Sequence, residues 1–233
     1  MSKKILISTG GSGGHVVPAT IFFDHLKDNF QVYMTSDRRG TKFIDNKKYS
    51  LEIINMPKLS KNLFLLPLQA FLILWLIVKS FFFLKSKKID ILISTGGYMS
   101  LPLCIASKFL NIKILLYEPN MVLGRVNKLF LNFCEKIFCY SEGVKNFPKK
   151  LIDKIITIEP LLRRDFYLIK PNKNINKEIN LLIIGGSQGA KLFDNSINDS
   201  ILKISKRYEL KIFHQKNNKN YKNIKEFYSK NNI

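Results

Sequence analysis

The sequence has 233 residues, of which 46% are hydrophobic, so the chain can form a sizeable core and global disorder is excluded. It carries 38 basic and 17 acidic residues, and the net charge of +21 favours anionic ligands or surfaces. Much of this excess is scattered lysine, which is equally consistent with a compositional bias that identifies no partner.

The first part of the chain alternates short apolar runs with helical stretches. Strands are predicted at residues 3–8, 31–35, 51–55, 89–94, 113–117, 136–140 and 155–158. Helices are predicted at 15–27, 39–47, 99–110 and 121–133. This alternation is typical of βαβ units, and it predicts an α/β fold with a doubly wound parallel sheet.

Three glycine-rich turns follow apolar runs of strand length. The first is Gly10-Gly11-Ser12-Gly13-Gly14 and leads directly into His15. The second contains Gly96-Gly97-Tyr98, and the third is Gly185-Gly186-Ser187-Gln188-Gly189-Ala190. Glycine lets a ligand approach the backbone closely, and the N-terminus of the following helix attracts phosphate. Ligands are therefore expected at the carboxyl ends of these strands.

Asp37 follows the first turn by roughly the spacing of a dinucleotide-binding acid. However, the turn lacks the Gly-x-Gly-x-x-Gly register, because Val17 stands two residues after His15. This difference weakens the hypothesis of an oxidoreductase.

The segment Leu63–Leu84 is almost entirely apolar and is flanked by Lys58, Lys61, Lys85, Lys87 and Lys88. Its length approaches that of a membrane span, but Pro67 and Lys79 interrupt it. A span would also separate two halves of one sheet. Two alternatives remain, a crossover helix packed on the sheet and a helix whose extra apolar face lies in the membrane interface. The absence of a polar face favours the second.

The C-terminal part begins a second βαβ set after a polar linker. The predicted elements are a strand at 181–184, a helix at 190–205, a strand at 210–213 and a helix at 221–228. We predict an N-terminal domain at residues 1–162, a linker at 163–180 and an incomplete second domain at 181–233.

The cysteines Cys104, Cys134 and Cys139 have no metal-ligand spacing and are expected to be core residues of a reducing compartment. The N-terminus does not resemble a signal peptide, so we expect a cytoplasmic protein. No nucleic-acid-binding module is recognisable, and no nucleic-acid partner is predicted.

In order and spacing, the three glycine turns resemble the glycine loops of the MurG family of N-acetylglucosaminyltransferases. The resemblance implies a GT-B fold of two Rossmann-like domains, the second of them truncated here. It implies an inverting transfer of GlcNAc from UDP-GlcNAc to lipid I, the undecaprenyl-pyrophosphoryl-MurNAc-pentapeptide acceptor, without a metal or other cofactor. The enzyme would be peripheral at the cytoplasmic face of the inner membrane, docked on an anionic surface through Leu63–Leu84.

The resemblance also implies roles for individual residues. His15 would be the general base or would orient the acceptor, which suits an imidazole because it exchanges protons near neutral pH. The residues implied for the acceptor and its pyrophosphate are Gly10, Gly11, Ser12, Gly13, Gly14, Gly96, Gly97, Tyr98, Glu118 and Asn120. Those implied for UDP-GlcNAc are Ser12, Gly13, Gly14, His15, Asn120, Arg163, Ser187, Gln188 and Gly189.

Two motifs depart from the family pattern. Tyr117-Glu118-Pro119-Asn120 stands where the family has His-Glu-Gln-Asn, and Ile158-Glu159-Pro160-Leu161-Leu162-Arg163 stands where it has Gly-Asn-Pro-Val-Arg. The alternative to a complete transferase is an acceptor-binding, membrane-docking half that is inactive without a separate or missing donor-binding segment.

Overall fold

The computed structural model describes residues 2–45, 47–56, 62–170, 178–185, 196–215 and 221–233. The chain divides into two compact units, Met1–Leu168 and Ile169–Ile233. The strands of the first unit are β1 (Lys4–Ser8), β2 (Gln31–Ser36), β3 (Leu51–Ile53), β4 (Ile91–Ser94), β5 (Lys113–Glu118), β6 (Lys136–Cys139) and β7 (Ile155–Thr157). Its helices are α1 (Gly13–Leu26), α2 (Leu66–Lys87), α3 (Leu101–Phe109) and α4 (Arg125–Phe130).

The seven strands of the first unit form one parallel sheet in the order β3-β2-β1-β4-β5-β6-β7. Side chains alternate between the two faces of the central strand β1. Leu6 packs in one apolar cluster, while Ile5 and Ile7 pack in another. Apolar runs are needed because the sheet has a core on each face. The predicted α/β class and parallel sheet are confirmed.

Helix α2 is the one helix among the described residues that is long and apolar enough to cross a membrane, judged by length and composition only. It connects β3 to β4, and both strands belong to the same sheet. Its inner side packs against α3 and the core through Leu76 and Leu84. Exposed apolar side chains continue along its outer side, at Phe64 just before the helix and at Leu68, Phe71, Trp75, Val78 and Phe82.

The polar helix predicted at 39–47 is wrong. The described residues there form only a short 3-10 turn, Gly40–Phe43. The Asp37 carboxylate accepts a hydrogen bond from the Gly40 N–H, which fixes the start of this turn. Ile44 is already extended and is buried in the core.

The helix predicted at 121–133 is shorter than expected, since α4 starts only at Arg125. The residues before it are held by one contact that is distant in sequence and by one side-chain bond within the loop. Val122 forms an isolated parallel bridge with Lys145, and Glu118 accepts a hydrogen bond from the Gly124 N–H. At the other end, the Lys154 ammonium donates to the carbonyls of Leu131, Asn132 and Cys134.

The second unit contains β8 (Glu178–Ile183), α5 (Asn198–Ser205), β9 (Glu209–His214) and α6 (Tyr221–Lys230). The two strands are parallel, as the βαβ prediction requires. Their inward side chains alternate with exposed ones, among them Leu182 and Phe213. The first part of the helix predicted at 190–205 lies outside the described residues.

Candidate functional site

The carboxyl ends of β1, β4 and β5 meet at one edge of the sheet. The strand order reverses its direction between β1 and β4, so this edge contains the topological switch point of the first unit. Ligands of open α/β sheets bind in the crevice at such a point. The first two glycine turns and the Glu118–Asn120 segment all lie there, as the sequence predicted.

His15 lies in the first turn of α1, and its ring is anchored to the second glycine turn. Its Nδ1 is 2.6 Å from the Thr95 carbonyl oxygen. Because a carbonyl only accepts, Nδ1 must carry the proton and donate it. The neutral ring then has its lone pair on Nε2, which makes no hydrogen bond among the described residues. This arrangement leaves Nε2 available to accept a proton.

Gly96 allows this close approach of the imidazole. Its φ of +89° is unfavourable for other residues, and a Cβ there would lie 3.2 Å from His15 Cε1. Gly97 continues the turn, and its Cβ would lie 3.5 Å from the Gly10 carbonyl oxygen. The two turns are therefore in contact, and a larger residue at position 96 would displace the ring.

The first glycine turn supplies backbone donors at the start of α1, where Gly13 is buried and Gly14 is exposed. Gly11 has a φ of +82° and donates its N–H to the Asp37 carboxylate. Ser12 is the N-cap residue and makes no side-chain capping bond. The N–H groups of Gly13 and Gly14 have no acceptor among the described residues, as expected at a helix N-terminus. These donors suit an anion.

Glu118 organises the loop after β5. The side chain is 2% exposed. Its Oε1 accepts from the backbone N–H and the side-chain amide of Asn120, at 3.2 and 2.8 Å. Its Oε2 accepts from the Gly124 N–H at 2.7 Å and from Asn127 Nδ2 at 3.0 Å. Both oxygens are thus engaged by the protein, so the geometry favours a loop-shaping role for Glu118 over direct ligand contact.

A cavity of about 380 Å³ brings five of the ten predicted acceptor residues together with His15, and the five residues of the first glycine turn, Gly10–Gly14, are not among those that line it. It is lined by His15, Gly96, Gly97, Tyr98, Glu118, Asn120, Gly124, Arg125, Val126 and Asn127. Arg125 is the one Lys or Arg among these lining residues and forms no ion pair with described residues. Asn127 is 3% exposed and its Oδ1 has no hydrogen-bond partner. The cavity therefore presents three unused groups, which are His15 Nε2, Asn127 Oδ1 and the Arg125 guanidinium.

Arg163 does not lie with these residues. It lines a different cavity of about 370 Å³, together with Arg164, Asp24, Lys48 and Tyr49. Within the first unit, the structure thus separates Arg163 from His15 and Asn120, with which the sequence grouped it. Ser187, Gln188 and Gly189, also predicted to bind the donor, lie outside the described residues.

Sequence reasoning missed several contributors to this site. Arg125 and Asn127 carry no motif, and their position shortly after Glu118 is the one sequence signal that could have found them. Thr95 acts through a backbone carbonyl, which no sequence pattern reveals. Asp37 was considered for a nucleotide, but the structure directs its carboxylate at Gly11 and Gly40 instead.

Tyr117 stands where the resemblance expected histidine, and it does not line the cavity. The side chain is fully buried, and its hydroxyl forms a hydrogen bond with that of Tyr140. Burial, followed by this hydrogen bond, raises the pKa of Tyr117. The Tyr140 hydroxyl also accepts from the Leu161 N–H at 3.4 Å. The two tyrosines thus link the end of β5 to the end of β6, and Tyr140 also links it to Leu161, beyond β7.

No cluster of three or more His, Cys, Asp or Glu residues suited to a metal ion occurs in the part of the chain that the structure describes. The three cysteines are buried and free.

The model of the glycosyltransferase family 28 N-terminal domain matches residues 5–139. A similar curated protein from Pelagibacter ubique (strain HTCC1062) is 55% identical over all 233 residues, and the chain spans 65% of its length. A second relative, from Rickettsia felis, is 34% identical, with 99% of this chain and 67% of the relative covered. Both are named UDP-N-acetylglucosamine–N-acetylmuramyl-(pentapeptide) pyrophosphoryl-undecaprenol N-acetylglucosamine transferase.

Among solved structures, MurG of Acinetobacter baumannii matches with a TM-score of 0.72 and 22% identity, covering 99% of this chain and 64% of that one. The UDP-GlcNAc 2-epimerase of Neisseria meningitidis bound to UDP-GlcNAc matches with a TM-score of 0.61 and 16% identity, covering 97% and 69%. At these identities the structures support the fold alone. The family match and the two relatives show that the chain belongs to glycosyltransferase family 28, on its MurG branch.

Proposed function

We propose that the chain is an inverting hexosyltransferase that moves GlcNAc from UDP-GlcNAc to an undecaprenyl-pyrophosphoryl-MurNAc-pentapeptide. The observation that carries this proposal is the orientation of His15. Its Nδ1 donates to the Thr95 carbonyl, which leaves Nε2 without a partner among the described residues, and the residue lines a cavity at the switch point of the sheet. The names of the relatives supply the substrates.

In the proposed reaction, His15 Nε2 removes the proton from the 4-hydroxyl of the acceptor sugar. The hydroxyl oxygen forms a bond to the anomeric carbon of GlcNAc while the bond from that carbon to the UDP oxygen breaks. The proton moves to His15, UDP leaves with its electron pair, and the configuration at the anomeric carbon inverts. A positioned base of this kind typically contributes about 10²–10⁴-fold to the rate.

The acceptor diphosphate is proposed to lie against the free N–H groups of Gly13 and Gly14, with the Gly96-Gly97 turn beside it. Arg125 provides the cation of this cavity, and a guanidinium suits a phosphate through paired N–H donors. Asn120 and Tyr98 contact the sugar and peptide portion of the acceptor. Glu118 acts through the loop that it holds together.

The second unit is proposed to hold the donor, with Ser187, Gln188 and Gly189 near the UDP diphosphate. Arg163 is kept as a proposed donor contact at the end of the first unit. We retain the sequence-based domain assignment, in which residues 1–162 bind acceptor and membrane and residues 181–233 belong to donor binding. Because the chain spans 65% of the length of the Pelagibacter relative, an acceptor-binding half is the alternative to test.

The test is transfer of labelled GlcNAc from UDP-GlcNAc to a lipid I analogue. The 233-residue chain is compared with a version extended by the remaining segment of the Pelagibacter relative. Activity of both supports the proposed transferase, and activity of the extended version alone identifies the 233-residue chain as the acceptor-binding half. Absence of activity in both, with folded protein, would overturn the assignment.

We also propose that the outer face of α2 docks the protein at an anionic membrane surface. The exposed side chains Leu68, Phe71, Trp75, Val78 and Phe82 recur at helical spacing on this face. Lys79, Lys85 and Lys87 lie on the same helix and supply positive charge for anionic lipid. Since both ends of α2 connect to strands of one sheet, the helix is proposed to lie in the interface rather than to cross it. The location that follows is the cytoplasmic face of the inner membrane.

Co-sedimentation with vesicles tests this proposal. The chain is expected to bind vesicles of phosphatidylglycerol and phosphatidylethanolamine, and to bind phosphatidylcholine vesicles more weakly. Equal binding to both compositions would contradict the contribution of the lysines. No binding to either would contradict the docking role of α2.

A further inference from the structure

Asp37 is a buried carboxylate that bridges two backbone segments at the edge of the site. It follows β2 and is 4% exposed. Its Oδ1 accepts the N–H of Gly11 and the N–H of Gly40, each at 2.8 Å. Its Oδ2 accepts from Arg39 Nε at 2.8 Å. One side chain therefore joins the first glycine turn to the short helical turn after β2.

Tight backbone packing surrounds this carboxylate. A Cβ on Gly10 would lie 2.8 Å from Asp37 Oδ1 and 2.7 Å from Met99 Cγ. A Cβ on Gly40 would lie 2.3 Å from Ser36 Oγ and 3.0 Å from Gly10 Cα. Real Cβ atoms essentially never approach other atoms so closely, so Gly10 and Gly40 are needed to bring both segments onto Asp37. The carboxylate and the two glycines form one fitted unit.

The hydrogen bonds divide the donors of the first turn into two groups. Gly11 N–H points to Asp37 and is unavailable to a ligand, which fixes the backbone at the unusual φ of +82°. The N–H groups of Gly13 and Gly14 follow two and three residues later and have no acceptor among the described residues. The bond to Asp37 thus pairs the Gly11 N–H, while the N–H groups of Gly13 and Gly14 stay without a partner among the described residues.

A negative charge so close to an anion site is electrostatically unfavourable, so its presence needs another reason. Burial raises the pKa of Asp37, but the hydrogen bonds from Gly11, Gly40 and Arg39 outweigh this effect and lower it overall. The carboxylate is therefore ionised at neutral pH, and its charge is balanced by Arg39, whose terminal nitrogen is 2.8 Å from Oδ2. The carboxylate therefore does not favour an anion by its charge, and what it contributes is the backbone geometry of the two segments that it joins.

We propose that Asp37 is a positioning residue that holds the first glycine turn in the shape in which it binds a diphosphate. It acts through Gly11 and Gly40 and touches neither substrate nor reacting atoms. The inference rests on the proposed diphosphate role of the turn and adds the group that shapes it.

Positioning and electrostatic roles predict opposite results for Asp37→Ala, and Asp37→Asn separates loss of the charge from loss of the acceptor. Asp37→Asn keeps an oxygen that accepts from Gly11 and Gly40 but removes the charge. Asp37→Ala removes both. The probe is inorganic pyrophosphate, titrated into the full 233-residue chain by calorimetry. Positioning predicts that Asp37→Ala binds about 10-fold more weakly, because the turn is no longer held in its binding shape, while Asp37→Asn binds as tightly as the parent or more tightly.

Asp90→Ala is the matched control. The Asp90 carboxylate also accepts a backbone N–H, that of Lys4 at 2.7 Å, but at the opposite edge of the same sheet. We expect this variant to lose stability without losing affinity for pyrophosphate. Tighter binding by both Asp37 variants would overturn the positioning role, as would equal weakening by Asp90→Ala and Asp37→Ala.

Amide hydrogen exchange at Gly11 and Gly40 separates this inference from the proposed function. Slow exchange in the parent and in Asp37→Asn, with fast exchange in Asp37→Ala, supports the positioning role even if the parent binds no pyrophosphate, in which case only the diphosphate role fails. Equal exchange rates in all three proteins would overturn the inference whatever the affinity.

Discussion

The cavity around His15 and the outer face of α2 belong to the same unit but differ in what they leave unused. In the cavity the Glu118 carboxylate accepts four hydrogen bonds, and the unused groups are polar, namely His15 Nε2, Asn127 Oδ1 and the Arg125 guanidinium. On the outer face of α2 the groups without a partner are apolar side chains, since Trp75 is 55% and Phe71 65% exposed. A buried polar group without a hydrogen bond is costly, and a large exposed apolar patch is unusual. Each of these features therefore indicates a surface that binds something.

The difference shows how a functional surface can be identified in each region. The residual polar atoms of the cavity, His15 Nε2 and Asn127 Oδ1, point to a polar ligand. The residual apolar side chains of α2 point to an apolar phase. Substitutions in the cavity are therefore expected to change transferase activity or stability, and substitutions on the outer face of α2 to change vesicle binding.

The largest effect is expected for His15→Asn. An asparagine amide can replace Nδ1 as donor to the Thr95 carbonyl, but it has no counterpart to Nε2 as a base. We expect transferase activity of the extended version to fall by about 10²–10⁴-fold, with Tm nearly unchanged. Activity close to that of the parent would show that His15 orients the acceptor and is not the base.

Glu118→Ala is expected to destabilise the protein through the loop that borders the His15 cavity. It leaves the Gly124 N–H without its acceptor and the Asn127 amide with the Tyr117 carbonyl as its remaining acceptor. Hydrogen bonds to a buried charge each contribute about 1.5–3 kcal/mol. We expect a loss of at least about 3 kcal/mol in the free energy of urea unfolding. Glu135→Ala is the control, because that carboxylate is 50% exposed in its pair with Lys113 and should change stability by less than about 1 kcal/mol.

Trp75→Ser should affect membrane binding without affecting stability. Burial of a large apolar side chain is worth about 1.5–3 kcal/mol, so vesicle affinity is expected to fall by about 10-fold or more. Phe166→Ser is a matched control, since Phe166 is also 55% exposed but lies away from α2. Equal losses of vesicle affinity in the two variants would mean that any exposed aromatic residue contributes to lipid binding, whether or not it lies on α2.

Arg125→Ala is expected to raise the KM for the acceptor by about 10-fold, because one charge-assisted contact to phosphate is lost. The kcat should change less, and vesicle binding should not change. Lys128→Ala, one turn further along α4 and outside the cavity lining, controls for net charge. Similar KM values for the two variants would remove Arg125 from the site.

The smallest effect concerns the pH dependence of stability. The pKa of Asp37 is lowered in the folded state, so its ionised form stabilises the protein above the unfolded pKa of about 3.9, and this contribution is lost as the pH falls through the lower folded pKa. The Tm difference between the parent and Asp37→Asn should therefore narrow by about 2 °C or more between neutral and strongly acidic pH. A constant difference would indicate that the charge of Asp37 is not involved.

The sheet and the placement of the glycine turns were predictable because they depend on local patterns. Apolar runs such as Ile5–Ile7 identify buried parallel strands, and glycine after a strand identifies a turn at its carboxyl end. The start of α4 was not predictable, since the bridge of Val122 to Lys145 and the bond of Gly124 to Glu118 are tertiary contacts. The polar helix at 39–47 failed for a related reason, because Ile44 is drawn into the core.

The site was predictable in its turns and in His15, which carry motifs. Arg163 was placed with the donor residues by motif alone, whereas within the first unit it lines another cavity. Arg125 and Asn127 became visible only when side-chain direction was known. A single sequence does not show which polar side-chain atoms lack a hydrogen-bond partner in the folded protein, and such residues therefore carry no recognisable pattern.

The direction of α2 has a kinetic consequence. The helix leaves the carboxyl edge of the sheet after β3, so the Leu68 end of its exposed face lies on the edge that contains the His15 cavity, and the Phe82 end lies about 21 Å further along the axis. An enzyme held by such a face, with an acceptor anchored in the same lipid, would meet that acceptor by lateral diffusion in two dimensions. Its rate would then follow the mole fraction of acceptor in the surface and fall when inert lipid is added at constant bulk concentration.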